Sequence, residues 1–195
     1  MDNTVGSLTQ LQTSVIMGSL LGDGYIRMMP GRRDAFLEIN HSATQREYVD
    51  WKFTVLENIS RSAPKERNGN GRRIAYRFYT RQNPELTTLM NAWYVNGKKY
   101  IPENISIDRM ALAVWFMDDG SMCRKSDVYL NTQQFGLSDQ NLLLGLLREM
   151  GLEASLNRDK QYHRIRFLKS SVPILKKLIT IHVVPSMRYK LGLTP

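Results

Sequence analysis

The sequence predicts an α+β fold in which one unit is built twice, as a pair of α-β-β-α-β-β-α halves within 195 residues. Three observations predict it. Residues 15–25 (VIMGSLLGDGY) and 113–122 (AVWFMDDGSM) are apolar, helix-like runs that each end in an acid followed by glycine. Asp23-Gly24 and Asp119-Gly120 lie half a chain apart, and the order of elements after the first recurs after the second, the mark of a duplicated unit. The charge is also divided evenly. The total is +9, with 14 basic and 10 acidic residues in 1–105 and 13 and 8 in 106–195, so no basic tail hangs on a neutral domain.

The elements follow in order. After Gly24, residues 36–41 read as a strand and 46–59 as a helix with Val49, Phe53 and Leu56 near helical spacing. Residues 73–81 read as a strand and 84–95 as a short helix. In the second half, 107–117 is apolar on nearly every side after Arg109, so that helix belongs in a centre. Asp108 suits its N-cap. Residues 128–133 read as a strand, and 138–150 as a helix capped by Ser138 and stopped by Gly151. Residues 163–168 read as a strand and 172–181 as a helix. The strands beyond two per half are inferred from the repeat. No Pro/Ser linker intervenes, so 1–105 and 106–195 form the halves of one pseudo-symmetric body joined across 96–108.

Composition narrows the function. One cysteine excludes an internal disulfide framework and a Cys-based zinc site, and fits a reducing, intracellular setting. His41, His163 and His182 are scattered. No apolar run approaches a membrane span, and residues 1–9 lack a signal-peptide core. Trp51, Trp93, Trp115 and the ten methionines read as core, His41 and His163 as packing or capping residues, and Cys123 needs no functional reading. The basic balance favours a polyanion, nucleic acid ahead of an anionic membrane.

Strand alternation shows which face would meet it. Arg73, Ala75, Arg77, Tyr79 and Arg81 share one parity, and Ile74, Tyr76, Phe78 and Thr80 the other. Arg164 and Arg166 lie opposite Ile165 and Phe167, and Asn131 and Gln133 opposite Leu130 and Thr132. Residues 61–81 hold seven basic side chains against Glu66 alone, where an ordinary solvated face mixes signs. A two-stranded ribbon fits the major groove, where Arg suits guanine and Asn or Gln suits adenine.

The acids are the odd feature. A carboxylate at a helix C-terminus is disfavoured by the helix dipole, and two brought together repel further. A divalent cation shared by Asp23 and Asp119 would offset both penalties. Gly18 and Gly22, four apart, permit close helix approach. Gly24 and Gly120 suit a left-handed helix stop.

The paired segments resemble the double signature of the LAGLIDADG homing endonucleases. VWFMDDGS, LNTQQF (130–135), NGKKYIPEN (96–104) and VPSMRYKL (184–191) resemble the branch containing the yeast mitochondrial omega-intron endonuclease, over residues 14–192. The first motif reads IMGSLLGDG and the second LAVWFMDDG, with Val114 and Asp118 where the generic pattern prefers small residues. The resemblance implies motif helices packed at a central pseudo-twofold axis and antiparallel sheets forming a DNA-binding saddle. It implies cleavage of both strands of duplex DNA at a long site by a monomer using Mg²⁺, with Mn²⁺ or Ca²⁺ able to substitute as the bound ion. Asp23 and Asp119 would hold the metal, supported by the backbone carbonyls of Gly22 and Asp118. Lys99 and Lys190, at similar offsets from the acids, would stabilise charge at the scissile groups, with Lys98 a competitor for Lys99. Arg27, Arg32, Arg33, Asn40, Arg72, Arg73, Arg77, Arg81, Asn131, Gln133, Arg164 and Arg166 are the candidates for DNA contact. The alternatives are an intron-encoded RNA maturase and a non-cleaving DNA-binding protein. Mitochondrion, chloroplast and bacterial cytoplasm are not separated by the sequence.

Overall fold

The computed structural model describes residues 7–69, 73–124 and 126–193. The chain divides into two compact units, Met1–Ala92 and Trp93–Pro195. In the first, α1 (Gln10–Leu21) is followed by β1 (Tyr25–Arg27), β2 (Phe36–Ser42), α2 (Arg46–Leu56), β3 (Lys65–Asn68), β4 (Ile74–Tyr79) and α3 (Pro84–Trp93), whose last residue opens the second unit. A hairpin of β5 (Tyr94–Val95) and β6 (Lys98–Lys99) then leads to α4 (Arg109–Asp119), β7 (Gly120–Arg124), β8 (Asp127–Leu130), α5 (Leu137–Glu149), β9 (Ala154–Asp159), β10 (Tyr162–Phe167) and α6 (Ser171–Ile179). The α-β-β-α-β-β-α order thus occurs twice. The two four-stranded sheets are antiparallel and ordered β1-β2-β4-β3 and β7-β8-β10-β9, the same arrangement in each unit.

The motif helices start from local chemistry. Thr9 Oγ1 accepts the Gln12 N–H at 3.2 Å while Gln12 Oε1 accepts the Thr9 N–H at 3.0 Å, so α1 opens on a capping box. Asp108 caps α4 as expected, its Oδ1 accepting the Ala111 N–H at 2.8 Å. Such a cap stabilises a helix by about 1 kcal/mol. Residues 111–118 of α4 are all buried, the all-round burial its composition requires. In α2, burial falls on Tyr48, Val49, Lys52 and Leu56, so the buried stripe passes through a lysine and leaves Phe53 half-buried.

Several local expectations are corrected. The stop glycines are not left-handed: Gly120 sits at φ −70° and ψ 144°, and Gly24 is not among the glycines of positive φ. Both are needed for space instead. A Cβ at Gly24 would meet the Ser19 carbonyl oxygen at 2.8 Å, and one at Gly120 the Phe116 oxygen at 2.3 Å, because the chain folds back on the last helical turn. Ser138 is not the cap of α5, which begins at Leu137 after Gly136; Asp139 reaches back, Oδ2 accepting the Gly136 N–H at 3.3 Å. Gly151 does end that helix at φ 75°. Its N–H reaches the Arg148 carbonyl and that of Leu152 reaches Leu147, the paired bonds that close a Schellman turn. The third helix ends at Trp93 rather than 95, because Asn96 (φ 51°) and Gly97 (φ 75°) make a two-residue hairpin turn of the primed type. β8 ends at Leu130, three residues short of the expected 133.

Candidate functional site

Each unit ends its apolar helix in an acid beside a polar sheet face. Asp23 lies two residues beyond α1, whose Gly22 N–H closes on the Gly18 and Ser19 carbonyls. The Asp23 side chain is half exposed, and His41 Nδ1 lies 3.5 Å from its Oδ2. Asp119 is the last residue of α4. Its carbonyl accepts the Asn131 N–H at 3.0 Å and the Asn131 Nδ2 at 2.8 Å, and its Oδ2 accepts from Gln134 Nε2 at 3.4 Å.

Lys190 stands in a short 3₁₀ stretch, Pro185–Leu191, and its Nζ donates to the carbonyls of Met117 at 2.6 Å and Asp118 at 2.7 Å. The last carbonyls of a helix lack intrahelical partners, and a cation there also meets the negative end of the dipole. Tertiary structure therefore brings Lys190 to the end of α4, next to Asp119, across 71 positions of sequence. Lys99 lies on the hairpin, paired with Tyr94, in the same unit.

The sheet faces are built by register. Partners across strands share a face, so Asn40, Arg77 and Lys65 form one row, Ser42, Ala75 and Arg67 the next, and Tyr25, Glu38 and Tyr79 a third. The second sheet aligns Ser121, Tyr129, Arg166 and Ser155, with Arg164 opposite Asn157. Arg164 also donates to Asn131 Oδ1 at 3.3 Å and lies over the Tyr129 ring at 4.0 Å. An Arg–Asn pair thus recurs, Arg77 beside Asn40 and Arg164 beside Asn131. In each, a buried Arg Nε–H finds no hydrogen-bond partner among the described residues.

The faces are not uniformly basic. Glu38 is buried between Arg27 (3.0 Å) and Arg77 (3.8 Å), and the half-buried Asp127 lies between Arg166 (2.6 Å) and Arg124 (3.9 Å). Asp127 raises the Arg166 guanidinium further above its ordinary value, through its hydrogen bond first and its charge second.

The other candidates are placed as follows. Arg32, Arg33, Asn40 and Arg73 are exposed, as is Arg81, whose guanidinium donates to the Asn58 carbonyl. Gln133 is half-buried past the end of β8. Arg72 lies outside the described residues. The sequence reading missed Lys65, Arg67, Glu38, Tyr129 and Asp127 on these faces. The alternation in KERN, in DVYL and, for Glu38, in FLEINHS carried the signal for them. His41, taken as a packing residue, is 2% exposed and touches Asp23.

In each unit the acid, Asp23 in the first and Asp119 in the second, offers hard carboxylate oxygens that suit a divalent cation such as Mg²⁺ or Mn²⁺. Among the described residues no group of three His, Cys, Asp or Glu forms a protein-only cage. An ion there would complete its shell with water and substrate oxygens, as Mg²⁺ sites commonly do.

A family model described as LAGLIDADG DNA endonuclease matches residues 13–175. The chain belongs to that family. It is 29% identical to the cytochrome b mRNA maturase bI2 of Debaryomyces hansenii, over 91% of this chain and 72% of that protein. It is 24% identical to the probable intron-encoded endonuclease 1 of Wickerhamomyces canadensis, over 95% and 85%. The chain spans only about half the length of other matching relatives, 50% of the Saccharomyces cerevisiae maturase bI2 among them. Among solved structures, the homing endonuclease I-WcaI bound to its DNA recognition sequence matches with a TM-score of 0.87 at 25% identity, covering 97% of this chain and 89% of that one. I-DmoI in complex with DNA and Mn shares the fold at a TM-score of 0.57 and 10% identity, over 87% and 96%.

Proposed function

We propose that this chain is a site-specific homing endonuclease that hydrolyses both strands of duplex DNA at a long recognition site and promotes intron mobility. The observation that carries this reading is the repeat of one arrangement in two units: an apolar buried helix ending in an acid, beside a sheet faced with Arg, Asn and Tyr. Asp23 and Asp119 would hold divalent cations, Mg²⁺ in the cell, with the Gly22 carbonyl as a supporting ligand and the Asp118 carbonyl joining it once Lys190 Nζ, which donates to it at 2.7 Å, turns to the scissile phosphate. A bound ion supplies Lewis-acid activation of water and neutralises charge on the phosphate. The protein binds and orients the duplex through its sheet faces. Arg27, Arg77, Arg164 and Arg166, with Asn40, contact base edges and phosphates in this reading; phosphate contacts set register and base contacts set sequence. Lys99 and Lys190 stabilise negative charge that develops at the scissile groups. One chain carries both motifs and acts as a monomer.

The test begins from a plasmid library of randomised inserts incubated with the protein and Mg²⁺, with cut ends captured and sequenced. A single long consensus is the expected result. Random ends, or none, would refute the reading. A maturase function is the second reading, favoured by the two yeast relatives that bear that name. It requires a basic surface and not paired acids. Tight binding of intron RNA that survives Asp23→Asn and Asp119→Asn, without DNA cleavage by the unmodified protein, would favour it.

A further inference from the structure

Lys52 is the anomaly of the first unit. Lysine is almost never fully buried unless paired, yet this one is wholly shielded from solvent at a core position of α2. Its Nζ lies 4.6 Å from the centroid of the Tyr48 ring and 3.4 Å from His41 Nε2. The His41 ring packs against Tyr48 at 5.3 Å between centroids, and its other nitrogen, Nδ1, faces Asp23 Oδ2 at 3.5 Å. A buried lysine, a buried histidine and a half-exposed carboxylate therefore stand in a row, the carboxylate at the solvent end.

The chemistry of the row assigns its hydrogen atoms. A lysine ammonium has donors and no acceptor. With Lys52 as the ammonium, His41 Nε2 presents its lone pair to it, and the imidazole proton then sits on Nδ1, pointing at Asp23. At the matching place in the second unit the buried Thr132 bonds Gln140 at 3.1 Å, and Asp119 Oδ2 accepts from Gln134 Nε2 at 3.4 Å.

We propose that His41 and Lys52 are positioning residues for Asp23. Lys52 fixes the His41 tautomer, and the Nδ1–H of His41 ties Oδ2 of Asp23, holding the carboxylate in one rotamer for the divalent cation. Carboxylates that bind metals are themselves held by such outer hydrogen bonds, and losing one typically costs 10–100-fold in metal affinity or activity. The inference rests on the reading of Asp23 as a metal-binding acid. It adds that Asp23 and Asp119 are held by different means, so loss of the row slows cutting of one strand more than the other.

The first test needs neither metal nor DNA. Long-range ¹H–¹⁵N spectra of the uniformly labelled free protein read the His41 tautomer, with its signals assigned by their loss in His41→Asn. The Nδ1–H form is expected, and Lys52→Met is expected to shift the population toward Nε2–H. An Nε2–H form in the unmodified protein, or no change in Lys52→Met, overturns the proposal. The second test measures single-turnover cutting of each end-labelled strand of the selected duplex across a Mn²⁺ titration. His41→Leu and Lys52→Met should raise the Mn²⁺ needed for half-maximal rate, and slow one strand, by 10–100-fold. His41→Asn, whose amide nitrogen can stand near Nδ1, should recover most of the loss. If Asn is no better than Leu, the role is merely structural and the proposal fails. Undiminished cutting by Asp23→Asn would instead sink the metal reading of Asp23, whatever the spectra show.

Discussion

The Asp23 carboxylate in the first unit faces a buried histidine with a buried lysine behind it, whereas in the second the Asp119 carboxylate accepts from the Gln134 amide and its backbone carbonyl from the Asn131 amide. The sheets beside these acids have the same strand order, and each carries an Arg–Asn pair and a carboxylate clamped between arginines. Duplication has therefore kept the backbone order and the character of the polar faces, while the groups behind the two acids have diverged. Backbone order is enforced by every strand pairing at once. A side chain behind one acid can change whenever its replacement also satisfies the buried polar groups around it.

The acids provide the largest test of that comparison. Asp23→Asn and Asp119→Asn should each lower single-turnover cleavage by about 10³-fold or more, the scale of losing an activated nucleophile and its charge clamp. Fluorescence anisotropy should show DNA affinity largely retained. A large loss from one variant and none from the other would break the equivalence of the two motifs.

The lysines come next. Lys99→Met and Lys190→Met should both slow cleavage, by about 10²-fold. Lys190→Met should in addition destabilise the fold by about 1–3 kcal/mol in urea unfolding, since it abandons two helix-end carbonyls. Equal stability of the two variants would show that the Lys190 contacts contribute nothing.

The turn glycines sharpen the comparison sterically. Gly120→Ala drives a methyl to 2.3 Å from a backbone oxygen and Gly24→Ala to 2.8 Å. Both should lower stability by about 1–3 kcal/mol, Gly120→Ala the more. The opposite ranking in a thermal melt would mean that the second turn yields more easily than its packing indicates.

The smallest effects belong to the clamped carboxylates. Glu38→Gln and Asp127→Asn should change stability by less than about 1 kcal/mol, because their arginines are partly exposed. They should relax the consensus at a few positions by freeing those arginines. An unchanged cleavage profile would show that the clamps do not orient arginines for reading.

Much of this was legible beforehand because it rests on local rules. Alternation placed Arg77, Arg164 and Arg166 on the half-exposed faces with Phe78, Ile165 and Phe167 buried behind them. Asp108 followed from cap chemistry, and the all-apolar run of α4 required a centre. The Asn96-Gly97 hairpin is absent from the sequence reading, which runs a helix to 95 and a join from 96, although Asn-Gly is a hairpin signal. Lys52 escaped because hydropathy assigns lysine to the surface. Only His41, brought beside it by the packing of α2 on β2, together with Tyr48 one helical turn before it, gives its ammonium a place inside.

The sequence by itself determined the α+β class, the doubled order of elements, the two terminal acids and the basic parity of the strands. These depend on spacing along the chain, which periodicity and repetition express directly. Only the tertiary structure decided that Lys190 meets the end of α4, that Glu38 and Asp127 sit among arginines, and that Lys52 and His41 stand behind Asp23. Those contacts join residues that sequence spacing does not relate. They exist because strand register and helix packing bring their side chains within reach, and because a buried charge is tolerated only where partners are already in place.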